Sequence, residues 1–246
     1  MIIRSGLIKN KDTVDFDEFM KHWKDVHGPL ARIVPRMKAY SQNHIKKTIL
    51  DSEQFGLHRV DGISQLRFDT VADMAIGMES PEQHACIVDI RGFLSDVTIL
   101  IQEEGELNQF GHSPADGRKL MYLIKGDDGA IEKLQGTLAG IMSSIGGSFR
   151  YNRIINRDFR VDLSVSTGIQ LIDAVLEVFP ADRVTGERLN EAVSLQKVGG
   201  IDVIGSYEVQ EHVILPLSRR VAGPDPGGGP GRVLYDAKPA WVPPEG

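Results

Sequence analysis

The feature that most constrains the fold of this chain is one order of elements, β-α-β-β-α-β, that occurs twice along it. Short segments rich in β-branched residues indicate strands, and apolar residues at steps of three and four indicate helices. In the first half the predicted elements are strand Ile2–Ile8, helix Asp15–Val34, strand Lys38–Ile45, strand Gly62–Phe68, helices Thr70–Met78 and Pro81–Phe93, and strand Val97–Ile101. In the second half they are strand Leu120–Ile124, helix Ala130–Ser144, strand Ser148–Ile155, strand Ile169–Val178, helix Ala181–Lys197 and strand Ile201–Val213.

This order is that of the ferredoxin-like unit, in which two helices cover one face of an antiparallel sheet. An internal duplication is the simplest explanation for meeting it twice. The predicted fold class is therefore α+β, with two tandem ferredoxin-like repeats at residues 1–110 and 116–215. Residues 221–246 are about half Gly and Pro and cannot form a packed element. They are predicted to be a C-terminal arm, either disordered or laid across a neighbouring surface.

Composition narrows the class of protein. The chain has a formal net charge of −6 and lacks a Lys/Arg stripe interleaved with aromatic residues, which argues against nucleic acid as a partner. Its N-terminus turns polar too early for a signal peptide, and no apolar run is long enough to cross a membrane. A single cysteine, Cys86, excludes an intramolecular disulfide framework and suits a reducing compartment. We therefore expect a cytoplasmic protein in which Cys86 is a small core residue.

The candidate site is suggested by the distribution of histidines, since five of the seven fall in the first repeat. His27 shares the apolar stripe of the first long helix with Trp23, so it is predicted to face the sheet and to need a partner or a ligand. Tyr40 and His44 lie on the following strand with the same parity. If all three side chains point into one helix-to-sheet cavity, they can support acid–base chemistry.

Metal binding is not expected from the same residues. His22 lies five positions before His27, which places the two about 140° apart on an α-helix and suits two ligands of one ion poorly. His22 is accordingly predicted at the rim of the site or on the surface. The expectation is a site with no metal and no cofactor.

The stretch FDEFMKHWKDVHGPLARIVPRMKAYSQNH, followed by DGISQLRFDT and SPEQHACIVDIRGFLSD, resembles the EthD family over roughly residues 1–108. The resemblance implies a dimeric α+β barrel fold, which a tandem repeat can build within one chain. Relatives include methylmuconolactone isomerases, fungal polyketide dehydratases and haem-handling enzymes. In the isomerases a helix histidine and a strand tyrosine lie in the pocket and correspond by pattern to His27 and Tyr40. Their cysteine nucleophile would fall on the third strand, where this chain has Ser64, Gln65 and Arg67 instead.

The leading functional prediction is a cofactor-independent acid–base lyase that eliminates water or a small carbonyl fragment from a small aromatic or lactone-like catabolite. His27 is the predicted base, Tyr40 the acid or oxyanion donor, and His44 an assisting group. The residues predicted to bind substrate are Phe19, Trp23, Asn43, Arg67 and His22. The alternatives are an isomerase of the methylmuconolactone type, a haem-using oxidoreductase with His27 as axial ligand, and a non-catalytic binding module. The expected partners are a small-molecule aromatic substrate and a second copy in a homodimer, with no nucleic acid and no membrane.

Overall fold

The structure, a computed structural model, describes residues 1–111, 118–156, 172–182 and 200–217. Within them, five α-helices and one turn of π-helix accompany nine strands. The strands are β1 (Ile2–Asn10), β2 (Ala39–Leu50), β3 (Gly62–Phe68), β4 (Leu94–Glu103), β5 (Leu107–Phe110), β6 (Arg118–Gly126), β7 (Gly147–Asn156), β8 (Ala174–Pro180) and β9 (Ile201–Leu215). The helices are α1 (Phe16–His22), the π-turn (Trp23–His27), α2 (Gly28–Arg32), α3 (Val71–Met78), α4 (Pro81–Phe93) and α5 (Asp128–Ile145).

The helices of the N-terminal half begin where the sequence predicts. The Asp15 carboxylate accepts hydrogen bonds from the backbone N–H groups of Asp17 and Glu18 at the start of α1. Thr70 and Ser80 cap α3 and α4 in the same way, and Pro81 occupies the first turn of α4, where a missing N–H costs nothing. The predicted second helix of the C-terminal half, Ala181–Lys197, lies almost entirely outside the described residues, as does the predicted arm at 221–246.

The strands form one antiparallel sheet in the order β4-β1-β3-β2-β9-β6-β8-β7-β5, and β4 also pairs with β7. Eight strands therefore close into a barrel, and β5 pairs with the first residues of β7, ahead of those that pair with β4. The order is β4-β1-β3-β2 in the N-terminal half and β9-β6-β8-β7 in the C-terminal half, so each half contributes four strands in equivalent positions. The α+β fold class is confirmed, and closure within one chain removes the need for a second copy to complete the barrel.

The buried apolar residues form three separate clusters. The first lies between the helices of the N-terminal half and the outer side of their sheet, and it includes Phe19, Trp23 and Phe93. The second fills part of the barrel interior and draws Leu7 and Ile63 together with residues of the C-terminal half. The third lies under α5. Because side chains alternate between the two faces of a strand, each strand of the N-terminal half serves both the helix-facing side and the barrel interior.

Candidate functional site

The π-turn determines how the two helix histidines are placed. Pro29 has no N–H to donate to the carbonyl of Asp25, so the α-helical hydrogen-bond pattern cannot continue there. The backbone N–H of Gly28 instead donates to the carbonyl of Trp23, five residues earlier. A wider turn of this kind brings residues five apart to one side of the helix. His22 and His27 consequently face the same way, contrary to the separation of about 140° expected for an α-helix.

Asp89 of α4 joins the two histidines. Its Oδ2 lies 2.9 Å from His27 Nδ1 and its Oδ1 lies 3.0 Å from His22 Nε2. All three side chains are buried. Burial alone would raise the pKa of Asp89, but the hydrogen bonds from His22 and His27 lower it to about 2. An ionised carboxylate can only accept hydrogen bonds, so both facing imidazole nitrogens carry hydrogen. Neutral His27 therefore has its lone pair on Nε2.

A cavity of about 60 Å³ lies between these helices and the outer side of β1, β3 and β4. It has room for a few water molecules. His27 and Tyr40 both line it, together with Trp23, and two further groups carry a proton or a charge there, Arg4 and Cys86. Burial lowers the pKa of Arg4 to about 10, which leaves the guanidinium charged near neutral pH. Burial and the nearby Asp89 raise the pKa of Cys86 to about 12, so its thiol stays protonated.

Gln42 connects Tyr40 to His44 along β2. Its amide nitrogen donates to the Tyr40 hydroxyl at 2.9 Å and to the Trp23 carbonyl at 2.7 Å, and its amide oxygen lies 3.2 Å from His44 Nε2. Burial raises the pKa of Tyr40 above its ordinary value, against the opposing effect of hydrogen bonds from Gln42 and Trp23. The phenol is thus protonated and can donate its hydrogen.

His44 lies apart from the cavity and packs against the Trp23 ring. The two rings are stacked with centroids 4.7 Å apart, and the His212 ring approaches His44 edge-on at 4.4 Å. Burial, with a smaller contribution from His212, lowers the pKa of His44 to about 3. His44 does not line the cavity, so its predicted assistance would have to act through Gln42.

Several predicted binding residues occupy other places. Asn43 and Arg67 point into the barrel, where Asn43 donates to the carbonyl of Ile63 and Arg67 pairs with Glu104. They lie across the sheet from the cavity because their strand positions have the opposite parity to Tyr40. Phe19 is a core residue stacked on Trp23, 5.9 Å between centroids. His22 is buried against Asp89, contrary to the rim or surface position expected for it.

Sequence reasoning missed Asp89, Arg4 and Gln42. The signal for Asp89 was a carboxylate on the inner side of a helix that also carries Phe93 and Ile90. Arg4 interrupts an otherwise apolar first strand, and Gln42 shares the parity of Tyr40. Each is a polar residue at a position whose pattern demands burial, which is the kind of residue that requires a specific partner.

Haem does not fit this site. His27 could offer Nε2 to an iron atom, since Asp89 occupies its Nδ1, but a porphyrin is many times larger than the cavity as it stands. Among the described residues, no three His, Cys, Asp or Glu side chains converge as metal ligands would.

Residues 11–96 match the family model of the EthD domain. No curated protein sequence matches the chain. The crystal structure of an anthrone oxidase-like protein superimposes with a TM-score of 0.54 at 7% sequence identity, over 87% of this chain and 92% of that one. A protein assigned as a monooxygenase, from Fusobacterium nucleatum subsp. nucleatum, superimposes with a TM-score of 0.51 at 7% identity, again over 87% and 92%.

Both names are those of oxidoreductases, and they contradict the prediction of an acid–base lyase. The prediction of a lyase was wrong because it rested on the absence of a cysteine nucleophile, which excludes one reaction without selecting another. The names give the isomerase alternative no support.

Within the described ranges, no helix combines the length and apolar character that a membrane span requires. The predicted resemblance to the EthD family is confirmed by the match of the family model to residues 11–96.

Proposed function

We propose that the chain is an oxidoreductase that oxidises an acidic aromatic substrate with dioxygen at the helix-to-sheet cavity. The observation that carries this proposal is the buried contact of Asp89 with His27, 2.9 Å, beside a cavity that also holds Tyr40 and Arg4. An imidazole held by a carboxylate in this way is a general base of the kind that removes protons from carbon or phenolic oxygen.

The proposed reaction begins with transfer of a substrate proton to His27 Nε2. The resulting carbanion or phenolate is stabilised by the charge of Arg4 and by a hydrogen bond donated by Tyr40. This electron-rich anion then reduces dioxygen, which is the oxidant. For an activated methylene group the overall balance is R₂CH₂ + O₂ → R₂C=O + H₂O, with two C–H bonds broken and one oxygen atom leaving as water.

The class of substrate is suggested by the walls of the cavity. Trp23, Phe93, Ile90 and Leu66 give it apolar sides, which suit an aromatic ring. One structural neighbour is named for an anthrone oxidase, and anthrone has an acidic methylene between two aromatic rings. The cavity, at about 60 Å³, has room for a molecule the size of dioxygen, so binding of a ring system would require its walls to move apart.

The test is oxygen consumption by the purified full chain with anthrone as the probe, followed by an electrode and by product absorbance. We expect His27→Gln and Asp89→Asn to lower the rate by about 100-fold, the usual contribution of a positioned general base. The exposed His84→Gln serves as the control and should retain the wild-type rate. Equal rates for wild type and His27→Gln, or no oxygen uptake by wild type, would reject the proposal and favour a non-catalytic binding module.

A further inference from the structure

A second, larger cleft opens at one end of the barrel, on the face of the sheet opposite the cavity just described. Its volume is about 390 Å³, within the range of about 300–1,000 Å³ in which small-molecule sites fall. Both halves of the chain contribute to it. The residues that matter below are Arg67 and Glu104 from the N-terminal half and Arg150, Phe179, Glu211 and Leu217 from the C-terminal half.

One wall of the cleft brings Arg67 and Arg150 together on Glu104, and both guanidinium groups also interact electrostatically with Glu177. Arg67 Nε lies 3.1 Å from Glu104 Oε1, and Arg150 pairs with the same carboxylate oxygen. Two guanidinium groups thus share one carboxylate. Arg150 Nε is buried and has no hydrogen-bond partner within the part of the chain that the structure describes. The Arg150 side chain as a whole is 19% exposed, so its terminal N–H groups can donate to an anionic ligand in the cleft.

The opposite wall is already satisfied. Lys119 Nζ lies 2.7 Å from Glu177, 3.1 Å from Glu211 and 3.2 Å from the amide oxygen of Gln65, which uses all three of its hydrogens. Glu177 also accepts hydrogen bonds from Gln65 and Asn152 at 2.7 and 2.8 Å. The carboxylates there have donors of their own, so the capacity to bind a charged group lies with the arginines.

The rim of the cleft is apolar and open to solvent. Leu107, Val213 and Leu217 are 45%, 61% and 55% exposed, and each lines the cleft. Phe179 and Leu215 continue the apolar surface inward. Exposed apolar side chains grouped around one cleft are typical of a surface that binds a ligand or a partner.

We propose that this cleft binds an amphipathic organic anion, with its carboxylate on Arg67 and Arg150 and its apolar body against the rim. Tyr40 lines both sites, but they have no other lining residue in common, and the charged groups of the cleft lie on the face of the sheet opposite His27. A carboxylate can accept two parallel N–H groups from one guanidinium, which suits the planar group of Arg150.

The test is calorimetric titration of the full chain with octanoate, with octanamide as the neutral match and acetate as the match without an apolar body. We expect octanoate to bind at least about tenfold more tightly than either. Arg150→Gln should weaken octanoate binding at least about tenfold, as for the loss of a charge-assisted hydrogen bond. Arg153→Gln, on the same strand but 59% exposed and paired with Asp128, is the matched control and should bind as wild type.

Glu104→Gln supplies a variant with the opposite expected sign. It leaves two guanidinium groups without their shared carboxylate, so octanoate should bind several-fold more tightly, whereas a purely structural role of Glu104 would only weaken binding. The Glu104→Gln measurement tests the proposed anion site even if Arg150→Gln fails to fold. Equal affinity for octanoate and octanamide, or weaker binding by Glu104→Gln, would overturn the proposal. His27→Gln should bind octanoate unchanged, which separates this site from the oxidation site.

Discussion

Asp89 organises the candidate site although it does not line the cavity. It fixes the hydrogens of His22 and His27 on the nitrogens that face it, and it thereby leaves the Nε2 of neutral His27 as a base. The placement of His27 and Tyr40 around one cavity could be predicted from helix and strand periodicity. Their catalytic roles stay predictions that the oxygen-uptake experiment addresses.

His44 should make the stability of the protein depend on pH. In the folded chain its pKa is lowered to about 3, against about 6.5 when unfolded. Between these values the unfolded chain binds a proton that the folded chain does not, so the free energy of unfolding falls as the pH drops below about 6.5. We expect His44→Gln to reduce this loss by about 1 kcal/mol between pH 6.5 and pH 5. Urea unfolding at several pH values measures it, and parallel curves for the two proteins would contradict it.

Asn43 and Arg67 mark how far reasoning at the residue scale reaches. The parity of Asn43 already excluded it from the face of Tyr40, since the two are three positions apart on one strand. For Arg67 the face of the sheet could not be predicted in this way. It depends on the register between β2 and β3, which pairs Arg67 with Ala39 rather than with Tyr40. Strand register is not visible in the sequence of one strand, so that placement needed the structure.

The π-turn is the element that could not be predicted from the periodicity of the sequence. A pattern with a period of 3.6 residues describes an α-helix, and the apolar stripe continues past Trp23 with no sign of a wider turn. The available signal was Pro29, because a proline inside a helix removes one backbone hydrogen bond and kinks or breaks the helix. The chain instead widens one turn ahead of the proline and resumes as α2, which is what turns His22 toward Asp89.

Gly62 controls the contact between the π-turn and the sheet. A Cβ at this position would lie 2.5 Å from the Trp23 ring, so the ring must move if one is added. We expect Gly62→Ala to cost about 1–3 kcal/mol of stability and to change the fluorescence of Trp23. Gly136→Ala is the control, since nothing lies within 4 Å of its added Cβ in the middle of α5. That substitution should stabilise the protein by about 0.5–1 kcal/mol. Similar melting temperatures for the two variants would contradict this account.

At the scale of the whole molecule, local patterns predicted the order of elements along the chain, whereas the closed barrel was expected only from the resemblance to the EthD family. Local patterns indicated strands in both halves at nearly the observed positions. The pairings of β2 with β9 and of β4 with β7 join residues far apart in the chain. These pairings bring together two four-stranded sheets whose inner faces are both partly apolar. The pattern of a single segment does not show which distant strand it will pair with. The predicted domain limits and homodimer stay predictions.

The two halves are also joined by a buried polar network, in which Gln65 of β3 donates to Glu177 of β8. Glu177 would have its pKa raised by burial, but Lys119 and nearby arginines hold it below the ordinary value. Lys119→Met should therefore cost about 3–5 kcal/mol, because it leaves a buried carboxylate without its main counter-charge. The exposed Lys125→Met on the same strand should change stability by less than about 0.5 kcal/mol. Equal denaturation midpoints for the two would contradict the role given to Lys119.

Because one polypeptide completes the whole ring of strands, the two halves of the barrel can differ in sequence and structure. In a barrel made of two symmetric copies, the two halves would have to be identical. On the helix-facing side, β1 contributes Arg4, Gly6 and Ile8 to the cavity, whereas the corresponding strand β6 contributes Leu120, Tyr122 and Ile124 to an apolar cluster. One side can thus specialise in reactivity while the other specialises in rigidity. Each polypeptide would then hold a single reaction centre, half the number that a symmetric assembly of the same size would carry.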